Sequence, residues 1–402
     1  MNPGLENLHA YPFEKLNKLL EGCAVDPDKT AISLAIGEPK HPAPGFILEA
    51  LKSNLGDVAI YPATRGTEEL RISIANWLCQ RFNLPETSVN AAKHILPVNG
   101  TREALFAIAQ TIISDKSETP IVVLPNPFYQ IYEGAALLAG AEPYYLNYLE
   151  ENDFIPDLSL VPENIWQRCQ LIYLCSPGNP SGTVLGMEPV QELMELAEKY
   201  DFVIAADECY SEIYQDEQHP PLGLLECAHK LGNSDYKRCL VFHSLSKRSN
   251  VPGLRSGFVA GDSELMNSFL YYRTYHGSAM PLQVQKASIA AWGDEAHVKE
   301  NREKYREKFT KVCDVLDPVL SVTPPPASFY LWPELPGSDT DFARNLYTSE
   351  NIKVLPGSYL SRDINGVNPG NNRVRIALVA EVEECLEAAD RIKTFIQIRK
   401  QT

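Results

Sequence analysis

Ser244-Leu-Ser-Lys-Arg-Ser-Asn-Val-Pro-Gly-Leu-Arg-Ser-Gly-Phe258 follows an apolar run at 239–242. A continuous apolar run reads as a strand buried on both faces. Lys247 then falls on a loop just past the strand's carboxyl end, where open α/β sheets place their ligands. A lysine amine forms Schiff bases with carbonyl compounds. Ser244, Ser246 and Arg255 surround it with two hydroxyls and a guanidinium, a set that suits a phosphate dianion. The stretch asks for a parallel sheet with a phosphorylated ligand at its edge.

Working outward, short apolar runs at 121–124, 171–175, 202–206, 239–244 and 257–260 alternate with amphipathic patterns such as 101–113 and 188–199. That alternation predicts an α/β fold, a mostly parallel sheet covered by helices on both faces. The pattern changes near 281–292. A long charged helical stretch at 297–315 follows, then Pro324, Pro325 and Pro326 mark a turn. Runs at 329–332 and 374–378 read as strands of a second sheet, and a helix at 382–399 closes the chain. A large domain at 45–290 followed by a smaller α+β domain is expected.

The 402 residues carry 36 basic and 52 acidic side chains, a formal net charge of −16. That balance argues against nucleic acid or an anionic membrane as the main partner. No apolar run approaches a membrane span, and the opening has no basic stretch followed by an apolar one. Nine cysteines without CxxC spacing fit reduced thiols in a cytoplasmic protein, and no metal is expected. Cys175, Cys209 and Cys239 lie in apolar runs and read as small core residues.

The lysine segment resembles the class I/II aminotransferases, fold-type I enzymes that carry pyridoxal 5'-phosphate. Their motif is Ser-x-Ser-Lys-x-x-x-x-Gly-x-x-Arg with small variations, and their phosphate-binding arginine falls eight residues after the lysine, as Arg255 does. The resemblance extends to other segments. In Ala205-Ala-Asp-Glu-Cys-Tyr210, it implies that Asp207 bonds the pyridine nitrogen and Tyr210 the phenolic oxygen. In Cys175-Ser-Pro-Gly-Asn-Pro-Ser-Gly182, it implies that the Asn179 amide reaches the same oxygen. In Asn99-Gly-Thr-Arg-Glu103, it implies that Gly100, Thr101 and Arg102 bind phosphate at a helix start, an anion site by its free N–H groups and dipole. Asn99 reads equally as that helix's N-cap. Tyr129 is implied over the pyridine ring, with Phe128 as the other choice. Tyr61, in Ile60-Tyr-Pro-Ala-Thr-Arg-Gly66, is implied at the phosphate of a neighbouring subunit, which makes a homodimer with shared active sites. Gly37 is implied as a backbone contact to substrate. In Asn372-Arg-Val-Arg-Ile376, alternation puts Arg373 and Arg375 on one face, and the family pattern selects Arg375 for the substrate α-carboxylate. The family also places residues 1–44 with 291–402 in the small domain.

The implied reaction is a ping-pong transamination through a Lys247 aldimine, with free Lys247 as general base. The opening Met1-Asn-Pro-Gly-Leu-Glu-Asn-Leu8, Ile36-Gly-Glu-Pro-Lys-His-Pro42 and the Tyr61 segment look like one branch, the N-succinyldiaminopimelate aminotransferases of lysine biosynthesis. That branch implies transfer between L-glutamate/2-oxoglutarate and N-succinyl-LL-2,6-diaminopimelate/N-succinyl-2-amino-6-oxopimelate. Lys40, Arg65, Arg248 and Arg273 are candidates for reading so anionic a substrate. Aspartate, aromatic or acetylornithine substrates and a C–S β-lyase activity stay open, because lyases share the lysine and the aspartate. A cofactor-sensing regulator would need a DNA-binding module before Gly37, where no room is seen.

Overall fold

The structure is a computed structural model that describes residues 3–114 and 118–401. Met1 and Asn2 of the opening quoted above, and Thr402 at the end of the expected small domain, lie outside them. Twelve strands are described, in chain order β1 (Ile32–Ser33), β2 (Ile95–Val98), β3 (Ile121–Asn126), β4 (Glu142–Asn147), β5 (Cys169–Cys175), β6 (Val203–Asp207), β7 (Cys239–Ser244), β8 (Gly257–Gly261), β9 (Tyr330–Leu331), β10 (Ile352–Lys353), β11 (Leu355–Pro356) and β12 (Val374–Ala377).

Seven of these form one sheet in the order β2-β8-β7-β6-β5-β3-β4. Strands β4, β3, β5, β6 and β7 run parallel, and β8 is antiparallel to both neighbours. Helices Gln130–Leu138, Met187–Tyr200 and Leu224–Lys230 make the crossovers between parallel strands. The central strands β3, β5, β6 and β7 are buried at every position, and their period of two sorts their apolar residues onto two cores. Ile121, Val123, Ile172, Leu174, Ile204 and Ala206 face one core. Val122, Leu124, Leu171, Tyr173, Val203 and Ala205 face the other. Both faces are buried, which is why these strands read as unbroken apolar runs.

Two strands of this sheet carry no such run. β2 contains Pro97, which cannot donate to a ladder and is tolerated because β2 is an edge strand. β4, at the other edge, is half-buried along most of its length and opens on an exposed Glu142. Neither gives the signal by which the central strands are recognised.

A second core gathers around the three-stranded antiparallel sheet β11-β12-β9. Helix Ala296–Leu320 buries Val298, Tyr305, Phe309, Val312, Leu316 and Leu320, the helical spacing of one apolar stripe. Helices Asp339–Glu350 and Val382–Gln401 pack on the same core. β1, near the start of the chain, pairs in parallel with β10, and Ile32 and Leu34 enter this second core. The segment that follows β1 is thereby carried to the carboxyl edge of the large sheet.

Candidate active site

The parallel strands end together. Cys175 on β5 is level with Asp207 on β6, which is level with Phe242 on β7. The segments just beyond β3, β5, β6 and β7 carry Tyr129, Asn179, Tyr210 and Lys247 to one cavity of about 410 Å³, with Lys247 on a short helix rather than on the loop expected for it. The small sheet adds Arg375 from β12, and the segment after β1 adds Ile36 and Gly37.

Asp207 closes the floor of the cavity. It ends the fourth of the seven strands and is 5% exposed. Its Oδ2 accepts the Tyr132 hydroxyl at 2.7 Å, and its Oδ1 accepts the Cys209 backbone N–H at 3.2 Å. Among the described residues no ion pair reaches it. Burial pushes its pKa up, against the hydrogen bonds from Cys209 and Tyr132. A buried, unpaired carboxylate facing a cavity favours a cationic ligand group, such as a protonated ring nitrogen.

Lys247 lies in the short helix Leu245–Arg248, which begins directly after β7. Its Nζ donates to the Gly37 carbonyl at 2.5 Å and lies 5.2 Å from the Phe329 ring centre. Burial lowers its pKa to about 8; the Arg375 and Arg255 guanidiniums push the same way, against the Cys209 thiol and Glu38. About a tenth of the amine is then neutral at pH 7, against about one part in three thousand for an ordinary lysine. That is the requirement for a nucleophile or a general base.

An anion cradle sits beside it. Gly100 caps helix Thr101–Ile112 with φ of 83°. A Cβ there would lie 2.3 Å from Nη2 of Arg255, so the glycine lets the guanidinium reach the helix start. The cap is Gly100 rather than Asn99, whose own N–H donates to Glu103 at 2.9 Å. Ser244 Oγ accepts the Ser246 N–H at 3.1 Å, and both serines line the cavity. Helix N-terminus, two serines, Thr101 and Arg255 together match a phosphate.

Opposite the cradle, Arg375 donates through Nη1 to Asn179 Oδ1 (3.0 Å) and through Nη2 to the Ala35 carbonyl (2.9 Å). Its buried Nε has no partner among the described residues, which leaves donor capacity for a carboxylate. Arg373, on the same face of β12, instead donates to the Trp332 carbonyl and pairs with Glu150 outside this cavity. Tyr129 lines the cavity, whereas Phe128 packs in the core against Tyr145.

Several residues in the wall or just behind it had no role in the sequence reading. Tyr132 holds Asp207. Tyr330 touches Tyr210 through their hydroxyls at 3.1 Å. Tyr11 and Phe13 bring the N-terminal segment to the rim, where Arg102 donates to the hydroxyls of Tyr129 (2.9 Å) and Tyr11 (2.8 Å). Cys175 and Cys239 are buried as their apolar runs suggest, although Cys175 also touches the cavity; Cys209 is half-buried and lines the cavity, which corrects its reading as core, and its Sγ lies 3.1 Å from Thr101 Oγ1. Strand-end residues in an apolar run look like core, because the sequence does not show where a sheet stops.

Tyr61 does not reach this cavity; it is 100% exposed. None of Lys40, Arg65, Arg248 and Arg273 lines it either. Lys40 pairs with Glu384 on the surface, and Arg65 donates to the Ala92 carbonyl. Arg248 and Arg273 are buried and neutralised by Glu295 and Glu103. These two spend their charge inside the fold, which sequence position alone could not reveal. A larger cleft of about 870 Å³, beside Pro324–326 and Trp332, shares only Tyr330 with the cavity.

Residues 29–392 match the family model described as aminotransferase class I and II. An LL-diaminopimelate aminotransferase from Nitratidesulfovibrio vulgaris (strain Hildenborough) is 32% identical over 395 residues, 96% of this chain and 97% of that protein. An aminotransferase from Neisseria meningitidis Z2491 superposes with a TM-score of 0.95 at 50% identity, covering 98% of this chain and 100% of that one. A structure described as a probable N-succinyldiaminopimelate aminotransferase, from Thermus thermophilus, does so with a TM-score of 0.82 at 26% identity, covering 95% and 99%. With the geometry above, these matches make the chain a member of the class I and II aminotransferases, fold-type I enzymes dependent on pyridoxal 5'-phosphate.

Proposed function

We propose that this aminotransferase moves an amino group between L-glutamate/2-oxoglutarate and N-succinyl-LL-2,6-diaminopimelate/N-succinyl-2-amino-6-oxopimelate, in the cytoplasm and in the service of lysine biosynthesis. The observation that carries the substrate class is Arg102. It stands at the rim, oriented by two tyrosine hydroxyls, and makes no ion pair among the described residues. A cation held in that way fits a distal carboxylate of a long substrate that carries more than one. A second reading, free LL-diaminopimelate, draws on the names of the relatives that match along nearly the whole chain. The charge of the cavity favours the succinylated compound. Asp207 is the only carboxylate among the described residues lining it, and it lies at the floor, so the rim offers no carboxylate to pair with a distal ammonium. Nine free cysteines support a reducing compartment.

Each site residue takes a role from its position. Arg375 grips the substrate α-carboxylate, and Gly37 offers it backbone. Gly100, Thr101, the backbone N–H of Arg102, Ser244, Ser246 and Arg255 hold the phosphate of the cofactor. Tyr129 would cover one face of its ring, while Asn179 and Tyr210 would donate to its phenolic oxygen. Asp207 would keep a proton on the ring nitrogen. When bound, pyridoxal 5'-phosphate withdraws electrons from the substrate Cα and makes its proton removable. Lys247 would hold the cofactor covalently at rest and, as a free amine, would take the substrate's Cα proton and return it. Its lowered pKa suits both tasks.

Tyr61 belongs to the same proposal through a homodimer, in which Tyr61 of the partner subunit completes the phosphate site. Its full exposure, beside the exposed Leu55, Val58 and Ile60, supports this reading. The two separate cores support a division into a cofactor-binding domain, 45–290, and a smaller one built from 1–44 and 291–402.

With glutamate as donor or product, the highest kcat/KM in a panel should fall to N-succinyl-LL-2,6-diaminopimelate, above LL-diaminopimelate, aspartate, tyrosine and acetylornithine. A preference for LL-diaminopimelate hands the function to the second reading, and pyruvate release from a cystathionine-type thioether contradicts transamination. Arg102→Met should lower kcat/KM for N-succinyl-LL-2,6-diaminopimelate by about ten- to a hundredfold, leaving amino acids without a distal carboxylate nearly unaffected. Tyr61→Phe should raise the cofactor's Kd about tenfold while the protein still sediments as a dimer; a monomer, or an unchanged Kd, contradicts the shared site. Apoprotein mixed with cofactor should develop its covalent chromophore faster as pH rises, levelling above about pH 8, the pKa of Lys247. A rate still rising steeply beyond about pH 9.5 would mean an ordinary lysine.

A further inference from the structure

Tyr330 touches three groups of the site, and the reading of the sequence gave it no role. It lies on β9, opposite Ala377 of β12. Arg375 is two residues before Ala377, so the arginine and the tyrosine are diagonal neighbours on one face of the small sheet. The Arg375 guanidinium carbon lies 4.3 Å from the Tyr330 ring centre, within the range of a cation–π contact. The ring is 3% exposed, packed edge-on against Phe329 and Tyr210, so it has little freedom to move away. Its hydroxyl lies 3.1 Å from that of Tyr210. The same hydroxyl fills the space above Gly37, where an added Cβ would lie 2.0 Å from it. Glycine at 37 is therefore required by the approach of Tyr330, and the Gly37 carbonyl in turn accepts from Lys247.

We propose that Tyr330 is a positioning residue with two separable actions: its ring orients the Arg375 guanidinium for a carboxylate, and its hydroxyl donates to Tyr210. This rests on the cofactor reading of the site given above. Each tyrosine hydroxyl has one proton. If Tyr210 donates to the cofactor's phenolic oxygen, its own oxygen is left to accept, and Tyr330 becomes the donor of the pair. A hydroxyl that accepts one hydrogen bond is a stronger donor in the next. A strong donor at the phenolic oxygen draws charge from it and so disfavours the protonated form of the adjoining lysine linkage. The ring acts elsewhere. Arg375 spends two donors on Asn179 and Ala35, and the aromatic face beneath keeps its plane fixed for the third group it must meet.

Two substitutions separate the actions. Tyr330→Phe keeps the ring and removes the hydroxyl. The pH at which the Lys247–cofactor chromophore titrates should rise by about half a unit. The Kd of glutarate, read from its perturbation of the same absorption, should stay within about twofold. Tyr330→Leu removes the ring as well and should weaken glutarate by about tenfold. A Tyr330→Phe protein that titrates with the wild type overturns the hydroxyl's action. A Tyr330→Leu protein with wild-type affinity for glutarate overturns the ring's. Should Tyr330→Leu fail to fold, the Tyr330→Phe titration decides the hydroxyl's action and Tyr330→Trp, which restores an aromatic face, decides the ring's by keeping the affinity. A wild type without a visible chromophore refutes the cofactor reading itself, which is a distinct failure from a chromophore that Tyr330→Phe leaves unmoved.

Discussion

A carboxylate buried at the end of the middle strand is the constraint around which this structure is arranged. Asp207 has two hydrogen-bond donors and no counter-charge among the described residues. An isolated charge in such a place costs several kcal/mol unless something compensates it. Nothing in the folded chain gains from that cost, since an apolar residue would pack as well at the end of a buried strand. The cost is recovered only when a cation comes to the cavity. Tyr132 and the Cys209 N–H orient the carboxylate for it and leave lone pairs toward the opening. The bound cofactor and the fold are in this sense complementary, and the apoprotein should be the less stable form.

The remaining groups are placed by how the two sheets end. Parallel strands finish side by side, so Tyr129, Asn179, Tyr210 and Lys247, distant in sequence, come together because each stands three or four residues past the end of its strand. In the proposed assignment this sheet's carboxyl edge serves the cofactor, and Arg375 is the carboxylate grip. It comes from β12, more than a hundred residues later, and is steadied from three sides by Asn179, the Ala35 carbonyl and the Tyr330 ring. The path of the chain through β1 explains the rest. Pairing with β10 brings Ile36 and Gly37 to the lysine, and the stretch before it brings Tyr11 and Phe13 to the rim.

Reading the sequence recovered what is local and lost what depends on tertiary geometry. The central strands were legible because burial on both faces leaves continuous apolar runs. β2 and β4 were not, because an edge strand may carry proline, glutamate and tyrosine. Lys247, Asp207, Asn179 and Arg255 stand in short motifs with recognisable spacing, and the structure gathers them in one cavity. Tyr330 and Tyr132 gave no such signal: a tyrosine in an apolar strand or helix looks like core until its hydroxyl is seen to meet Tyr210 or Asp207. The arginines misled in the opposite direction. Arg248, next to the lysine, looked functional and is neutralised by Glu295, whereas Arg102 was read for its backbone and offers its side chain to the rim.

The claim on which all of this depends is that Lys247 binds the cofactor covalently. It can be tested without substrate, mutation or assay of turnover. The purified holoprotein is treated with borohydride, which fixes a Schiff base as a stable amine, then digested and analysed by mass spectrometry. The account predicts one phosphopyridoxyl adduct, on the peptide containing Lys247 and on that lysine. An adduct on another lysine, or none in protein that retains the cofactor, would contradict it.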